Sequence, residues 1–312
     1  MNEHRPARRT PGRAVASTFG VLVGAGALVA TSLAGSAVAS PASGPGSQDE
    51  PLSIMLTNDD GWDAPGITAV YDALVASGHS VTLVAPAANQ SGSGARTTYS
   101  GALAVGQPEP GKYWVEGSPA DAAEFGLSTV FADEAPDLVI SGSNTGQNIG
   151  AASITSGTVG AAATALNEGV PAIAVSTERA PDGGGPYAET ADFVVDLVDS
   201  LDEHSKKGAI LPTGVGLNVN YPIVDDGGEP EGVEITSTGT GFVDVEHSGG
   251  SLPEVGEETT FDIATTMTSE TVKGADTTAL DEDKVAVTVI TGNYDASPGT
   301  VGPVRSAIET LG

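Results

Sequence analysis

The chain has no cysteine among its 312 residues. That absence excludes a disulfide framework, a cysteine-ligated zinc site and a thiol nucleophile. Positive charge is scarce as well: 12 Lys and Arg stand against 41 Asp and Glu, for a net charge of −29. Such a surface repels nucleic-acid polymers and anionic membranes. A small anionic substrate can still bind where a metal ion supplies local positive charge. Long apolar runs are confined to the first 40 residues, and no later segment stays apolar for the ~18 residues a membrane span needs. Several catalytic signatures are missing too. No Gly-x-Ser-x-Gly elbow, P-loop or Gly-x-Gly-x-x-Gly stands after a candidate strand.

Residues 1–39 read as an export signal. Arg5, Arg8, Arg9 and Arg13 form a basic start, residues 14–34 are apolar, and Ala37-Val38-Ala39 is a small-x-small cleavage site before Ser40. Arg8-Arg9 fits a twin-arginine signal, but Thr10-Pro11 after it fits poorly, so the export route stays open. Cleavage near Ala39 predicts a secreted, extracellular protein with no membrane attachment and a net charge near −32, since residues 1–39 hold four Arg and one Glu. Residues 40–51 read as a flexible linker by composition. The remaining 52–312 then form the folded part, split into an α/β core over 52–207 and a β-rich C-terminal extension with a final helix over 208–312.

Within the core, short apolar runs alternate with helical patterns. Residues 52–57, 80–85, 112–116, 137–141 and 172–176 read as strands, and 215–219 and 285–290 as two more. Residues 65–77 carry Ile67, Val70, Leu74 and Val75 at helical spacing, with Pro65 suited to the first turn and Gly78 to the stop. Ser118-Pro119 opens a second helix, residues 157–168 an Ala-rich third, and residues 187–201 a fourth. This alternation predicts a Rossmann-like α/β fold, a three-layer parallel sheet with helices on both faces.

In such sheets the ligand sits beyond the carboxyl ends of the strands. Three polar segments fall there: Thr57-Asn58-Asp59-Asp60-Gly61, Asn89-Gln90-Ser91-Gly92 and Ser141-Gly142-Ser143-Asn144. Adjacent Asp59 and Asp60 repel each other unless a cation lies between or before them. Asp-Asp-Gly is also ordinary turn chemistry. Their oxygen donors suit a hard divalent cation: Mg²⁺, Mn²⁺ or Ca²⁺. Thr155-Ser156-Gly157-Thr158 opens the Ala-rich helix, where backbone N–H groups make an anion site or a plain helix cap. The four histidines, at 4, 79, 204 and 247, read as ordinary surface residues. The chemistry left is metal-activated water attacking a phosphoryl centre held by backbone amides.

These segments together resemble the SurE family (survival protein E, 5′/3′-nucleotidases). The resemblance is carried by Thr57-Asn-Asp-Asp-Gly61 with Ala64-Pro65-Gly66, Val84-Ala-Pro86 with Asn89-Gln-Ser-Gly92, and Gly117-Ser-Pro-Ala-Asp121. Further along come Pro136-Asp-Leu-Val-Ile-Ser-Gly142 with Asn144 and Asn148, Ser156-Gly-Thr-Val-Gly160, Leu217-Asn-Val-Asn-Tyr-Pro222 and Asp276-Thr-Thr-Ala279. The resemblance implies a 5′-nucleotidase, a phosphomonoesterase acting on nucleoside monophosphates. It implies one divalent metal held by Asp59, Asp60, Ser91 and Asn144, with Asp59 and Asp60 catalytic. A phosphate site follows at Asn144, Ser156, Gly157 and Thr158, and a homodimer or homotetramer built with the C-terminal part. Two motifs depart from the family pattern. Ser91-Gly-Ser-Gly-Ala95-Arg96 lacks the usual His, and Gly142-Ser143-Asn144 replaces Gly-Ile-Asn. The lost His leaves a second reading open: an exported, non-catalytic protein that binds metal and phosphate. The complete ligand quartet argues for the enzyme.

Overall fold

The computed structural model describes residues 51–205, 209–224, 227–241 and 243–293. They lie in the compact unit Pro45–Gly312. The export signal, the linker apart from Pro51, and the final helix expected near the C-terminus fall outside the described residues.

The elements, in chain order, are β1 (Ser53–Thr57), α1 (Pro65–Ala76), β2 (Ser80–Pro86), β3 (Val105–Glu109), β4 (Lys112–Val115), α2 (Pro119–Phe125), β5 (Leu138–Thr145), α3 (Gly157–Asn167), β6 (Ala172–Thr177) and α4 (Tyr187–Glu203). There follow β7 (Val215–Tyr221), β8 (Val233–Thr236), β9 (Val243–Ser248), β10 (Asp262–Met267), α5 (Asp276–Asp281) and β11 (Val285–Thr291). Nine strands form one sheet in the order β3-β4-β2-β1-β5-β6-β7-β11-β8, and β9 and β10 form a separate antiparallel pair.

The six strands from β4 to β7 across the sheet run parallel. Antiparallel neighbours appear on both flanks, where β3 pairs with β4 and β11 with β7. β3 escapes the sequence pattern because Val105-Gly-Gln-Pro-Glu109 has little apolar content. It turns back through Pro110-Gly111, with Gly111 at φ +75°, the left-handed conformation a Pro-Gly turn uses.

Alternate side chains of the central strands feed two separate cores. Ile54, Leu56, Ile140, Ile173 and Val175 pack with Ile67, Val70 and Leu74 of α1 and Val194 and Val198 of α4. Met55, Val139, Ala172 and Ala174 face the other way, onto α2 and α3. That period of two over fully buried strands is what a sheet covered on both faces requires. On the second face the helix residues are small: Ala122 and Ala123 of α2 and Ala161, Ala162 and Ala165 of α3. They let both helices lie close to the sheet. From β1 the chain winds outward to β2 and β4, then crosses back to β5, β6 and β7 on the other side. The winding reverses between β1 and β5, and a crevice opens at their carboxyl ends.

Candidate active site

β1 ends in a turn that Asn58 closes with its own side chain. Its Nδ2 donates to Gly61 O at 2.9 Å, and its Oδ1 accepts from Gly61 N at 3.2 Å. Gly61 sits at φ +116°, where any other residue would be strained. The turn holds two carboxylates at the switch point, and they are treated differently. Both oxygens of Asp60 are taken, Oδ1 by Asn89 Nδ2 at 3.1 Å and Oδ2 by Thr145 N at 2.8 Å. Asp59 is 3% exposed, and Thr158 Oγ1 donates to its Oδ1 at 2.6 Å. Burial pushes the Asp59 carboxyl above its usual 3.8, Thr158 opposes the shift, and the negative Asp60 beside it adds to it.

Thr158 lies in the first turn of α3. Ser156 caps that helix, accepting from Val159 N at 3.2 Å. Gly157 brings the two elements together: a Cβ there would come within 2.8 Å of Asp59 Cβ and Oδ2 and of Ser93 Oγ. The start of α3 therefore faces the Asp59-Asp60 turn. One detail differs from the sequence expectation. The Thr158 hydroxyl is committed to Asp59, which makes it a support for the carboxylate.

A cavity of about 440 Å³ opens in front of Asp59. Ser91, Asn144 and Ser156 share it, so the loops after β1, β2 and β5 converge as expected. Asp60, Gly157 and Thr158 stand behind this wall and do not line it. The segment read as a loop from Ser141 is instead the end of β5, which runs on to Thr145 through an irregularity in its pairing with β6. Gly142 adopts φ +140° there, and a Cβ would meet Val175 O at 2.2 Å. Asn144 emerges on the crevice side and donates from Nδ2 to Gly146 O at 2.6 Å. None of the described histidines lines the cavity.

Arg179 also lines it, and sequence reasoning missed it. It supplies the single positive side chain among the described lining residues. Its Nη2 donates to Thr145 O at 2.5 Å, and no described carboxylate pairs with it. A usable signal existed. Arg179 follows β6, so it too stands beyond the carboxyl end of a central strand.

The far wall is fastened from a distance. Asn148 N donates to Asn220 Oδ1 at 2.7 Å, and Asn148 Nδ2 to Ser176 Oγ at 2.8 Å. Asp276 accepts from Gly150 N at 3.0 Å, from Gly239 N at 2.9 Å and from Thr277 N at 2.9 Å. Burial pushes its carboxyl up, and those three donors oppose the shift. Neighbouring Glu270 accepts from Val272, Gly241 and Thr240 N–H groups, which hold its carboxyl far below the ordinary range. On the near side Asp121 accepts from Ser118 N at 2.8 Å and from Thr98 N and Oγ1 at 2.6 and 3.0 Å. Burial raises the Asp121 carboxyl, but these donors outweigh it and leave it below 3.8.

The donor set suits a hard cation. All of the expected ligands offer oxygen. Ser93 Oγ is buried without a hydrogen-bond partner and converges with Asp59 Oδ2 on the space above Gly157. Among the described residues no three His, Cys, Asp or Glu gather around one point, so a cation here would have to rely on two carboxylates and neutral oxygens.

Fold and site together define a doubly wound α/β protein with a carboxylate and a helix N-terminus facing one crevice. The family model for survival protein SurE matches residues 54–244, and the chain belongs to that family. A relative in Roseobacter denitrificans, named 5′-nucleotidase SurE, is 36% identical over 197 residues, covering 60% of this chain and 74% of that protein. One of the same name in Halobacterium salinarum is 45% identical over 180 residues, covering 57% of this chain and 67% of the relative. The crystal structure of SurE protein from Aquifex aeolicus superposes with a TM-score of 0.69 at 28% identity, over 82% of this chain and 99% of that one.

Proposed function

We propose that the protein is a divalent-metal-dependent 5′-nucleotidase that removes phosphate from nucleoside monophosphates. The observation that carries this reading is Asp59. It is a buried carboxylate whose one side-chain hydrogen bond among the described residues comes from Thr158, and it opens onto a cavity in which Arg179 is the one cation among the described lining residues. The relatives' name supports the substrate class.

Asp59, Asp60, Ser91 and Asn144 would hold the metal ion. When bound, such an ion supplies positive charge to the phosphoryl oxygens and acidifies water. Thr158 fixes one Asp59 oxygen, so the other keeps a constant direction into the crevice. Ser156 at the start of α3 lines the cavity, and the dipole of that helix favours the phosphate dianion there. Asn144 and Arg179 approach from the opposite wall, and Arg179 suits an anion through its fork of donors. Water adds to phosphorus in line, the P–O bond to the nucleoside breaks, and the leaving oxygen takes up a proton. The surrounding donors offset charge as it spreads over the equatorial oxygens.

The deciding experiment is a phosphate-release screen over nucleotides and polyphosphate, with Mg²⁺, Mn²⁺ and Ca²⁺ in turn and with chelator. Turnover of a nucleoside monophosphate that chelator abolishes is expected. Turnover in chelator would remove the metal from the mechanism. Metal and phosphate binding without turnover would establish the non-catalytic alternative.

Two further parts of the reading concern the whole molecule. The basic start, apolar run and Ala37-Val38-Ala39 site support export and a mature start at Ser40. N-terminal sequencing of protein from the medium should return Ser40; an intact Met1 start would rule this out. Exposed Val245 and Ile263 on the β9–β10 pair, 47% and 68% accessible, support a homodimer or homotetramer. Light scattering that returned a monomer mass would overturn that.

A further inference from the structure

The chain has two tryptophans, Trp62 and Trp114, and both line one groove of about 520 Å³. They reach it from different directions. Trp62 follows the Asp59-Asp60 turn, with its N–H donating to Pro86 O at 2.9 Å, and its ring packs partly on the core. Trp114 lies in β4, and its indole lies so close on Gly106 of β3 that any Cβ there would overlap the ring. Each indole is therefore held against protein, and both residues line the groove. Fixed aromatic walls of this kind bind planar ligands with little loss of side-chain freedom.

The groove stands on the same edge of the sheet as the crevice at Asp59. Its residues follow β1 (Trp62) and β2 (Ala87, Ala88, Gln90), close β4 (Trp114, Val115) or follow it (Glu116, Gly117), all at carboxyl ends. The wall between the two is the loop 87–92. Gln90 N donates to Asp59 O at 2.7 Å, and Asn89 Nδ2 donates to Asp60, while Ser91 on the same loop lines the other cavity. Strands are about 4.8 Å apart, so β1 and β4, two steps from each other, are separated by roughly 10 Å. That step is comparable to the reach of a nucleoside from its phosphate to its base. The exposed carboxylate of Glu116 gives the groove an acceptor for base or ribose N–H and O–H donors, and Gln90, whose Oε1 accepts from Arg96 at 3.1 Å, offers its Nε2 to ring acceptors. The same carboxylate disfavours a phosphate there.

We propose that the Trp62–Trp114 groove is the nucleobase subsite, stacking a planar aromatic base while its phosphate lies in the crevice at Asp59. The assignment rests on the nucleotidase reading, but its first test does not. Because these are the only tryptophans, intrinsic fluorescence reports on the groove directly. Titrating the full chain with adenosine, which carries no phosphate, should quench the emission to saturation. Trp62→Phe and Trp114→Phe should each keep a quench from the remaining indole. The second test compares AMP with ribose 5-phosphate, which lacks a base. Trp114→Leu and Trp62→Leu should each lower the ratio of their kcat/KM values about tenfold, in the range of one lost base–aromatic stack. Melting curves identify any variant that fails to fold, and the Phe variants then carry the comparison. Saturable quenching without AMP hydrolysis would sink the nucleotidase reading and keep the groove as a nucleoside site. Hydrolysis of AMP with no adenosine quench and an unchanged ratio would sink the groove and keep the nucleotidase.

Discussion

Two sets of buried carboxylates in this molecule are supported in different ways. Asp276 and Asp121, which fasten the loops around the crevice, are surrounded by donors: backbone N–H groups of Gly150, Gly239 and Thr277 for one, Ser118 and Thr98 for the other. Asp59, inside the crevice, has Thr158 and a like-charged neighbour. The difference teaches how to tell a carboxylate that holds structure from one that awaits a ligand. The first has its charge answered by the protein. The second is left short, and it is the one the proposed cation would complete. The cations divide in the same way. Lys284 is paired with Glu234 and Glu282 at 2.9 and 2.7 Å, whereas Arg179 at the crevice meets only a carbonyl oxygen.

The sharpest way to break this contrast is Asp59→Asn. Phosphate release should fall on the order of a thousandfold or more, as expected when a cation that stabilises the transition state is lost. Stability should move the other way. The Asp59 carboxyl is raised in the fold, so its favourable contribution is present below about 3.8 and is lost as pH rises through the folded value. In chelator at neutral pH the variant should therefore melt no lower than wild type; a large drop in Tm would make Asp59 a structural residue after all.

Asp276→Ala should show the mirror image. Gly150 and Gly239 N–H groups would be left buried without partners, which costs about 2–4 kcal/mol. A denaturant titration should show that loss, with activity falling only through stability at low temperature. An Asp276→Ala protein as stable as wild type would end the distinction. For the cations, Arg179→Ala should raise KM for a nucleotide about tenfold and leave Tm near wild type, since the side chain fastens no carboxylate. Equal kcat/KM values for the two proteins would show that Arg179 does not meet the phosphate.

The smallest effect is expected at Asp121. Its carboxyl is depressed in the fold, so its contribution is present above about 3.8 and is lost as pH falls through the folded value. Asp121→Asn should remove about 1 kcal/mol at pH 7 and flatten the acid side of the stability curve. An acid transition that is unchanged in Asp121→Asn would assign that limb to other groups.

Much of this was legible in the residues themselves. Ile54-Met55-Leu56 and Ala172-Ile173-Ala174 are short continuous apolar runs, as expected of strands buried on both faces. Pro65, Ser118 and Ser156 announced three helix starts correctly. Asp59, Ser91 and Asn144 lie in segments that the strand ends picked out, and Ser156 was picked out as a helix start, but their roles as metal and phosphate ligands came from the resemblance to the SurE family. Features set by long-range packing were not legible. β3 is polar and holds its place by pairing with β4. α5 is six residues long, too short for a periodic signal. Arg179 looked like any loop cation until the fold carried β6 beside β5.

The bond from Gly150 to Asp276 joins residues 126 apart in the chain. During synthesis the wall carrying Asn144 and Asn148 has no such fastening until residue 276 has emerged. The matched family segment ends at 244, so that fastening is supplied by sequence beyond it. A growing chain can thus complete β1, α3 and the Asp59–Thr158 contact while the opposite wall is still loose. The order of synthesis leaves the crevice unfinished until residue 276 has emerged.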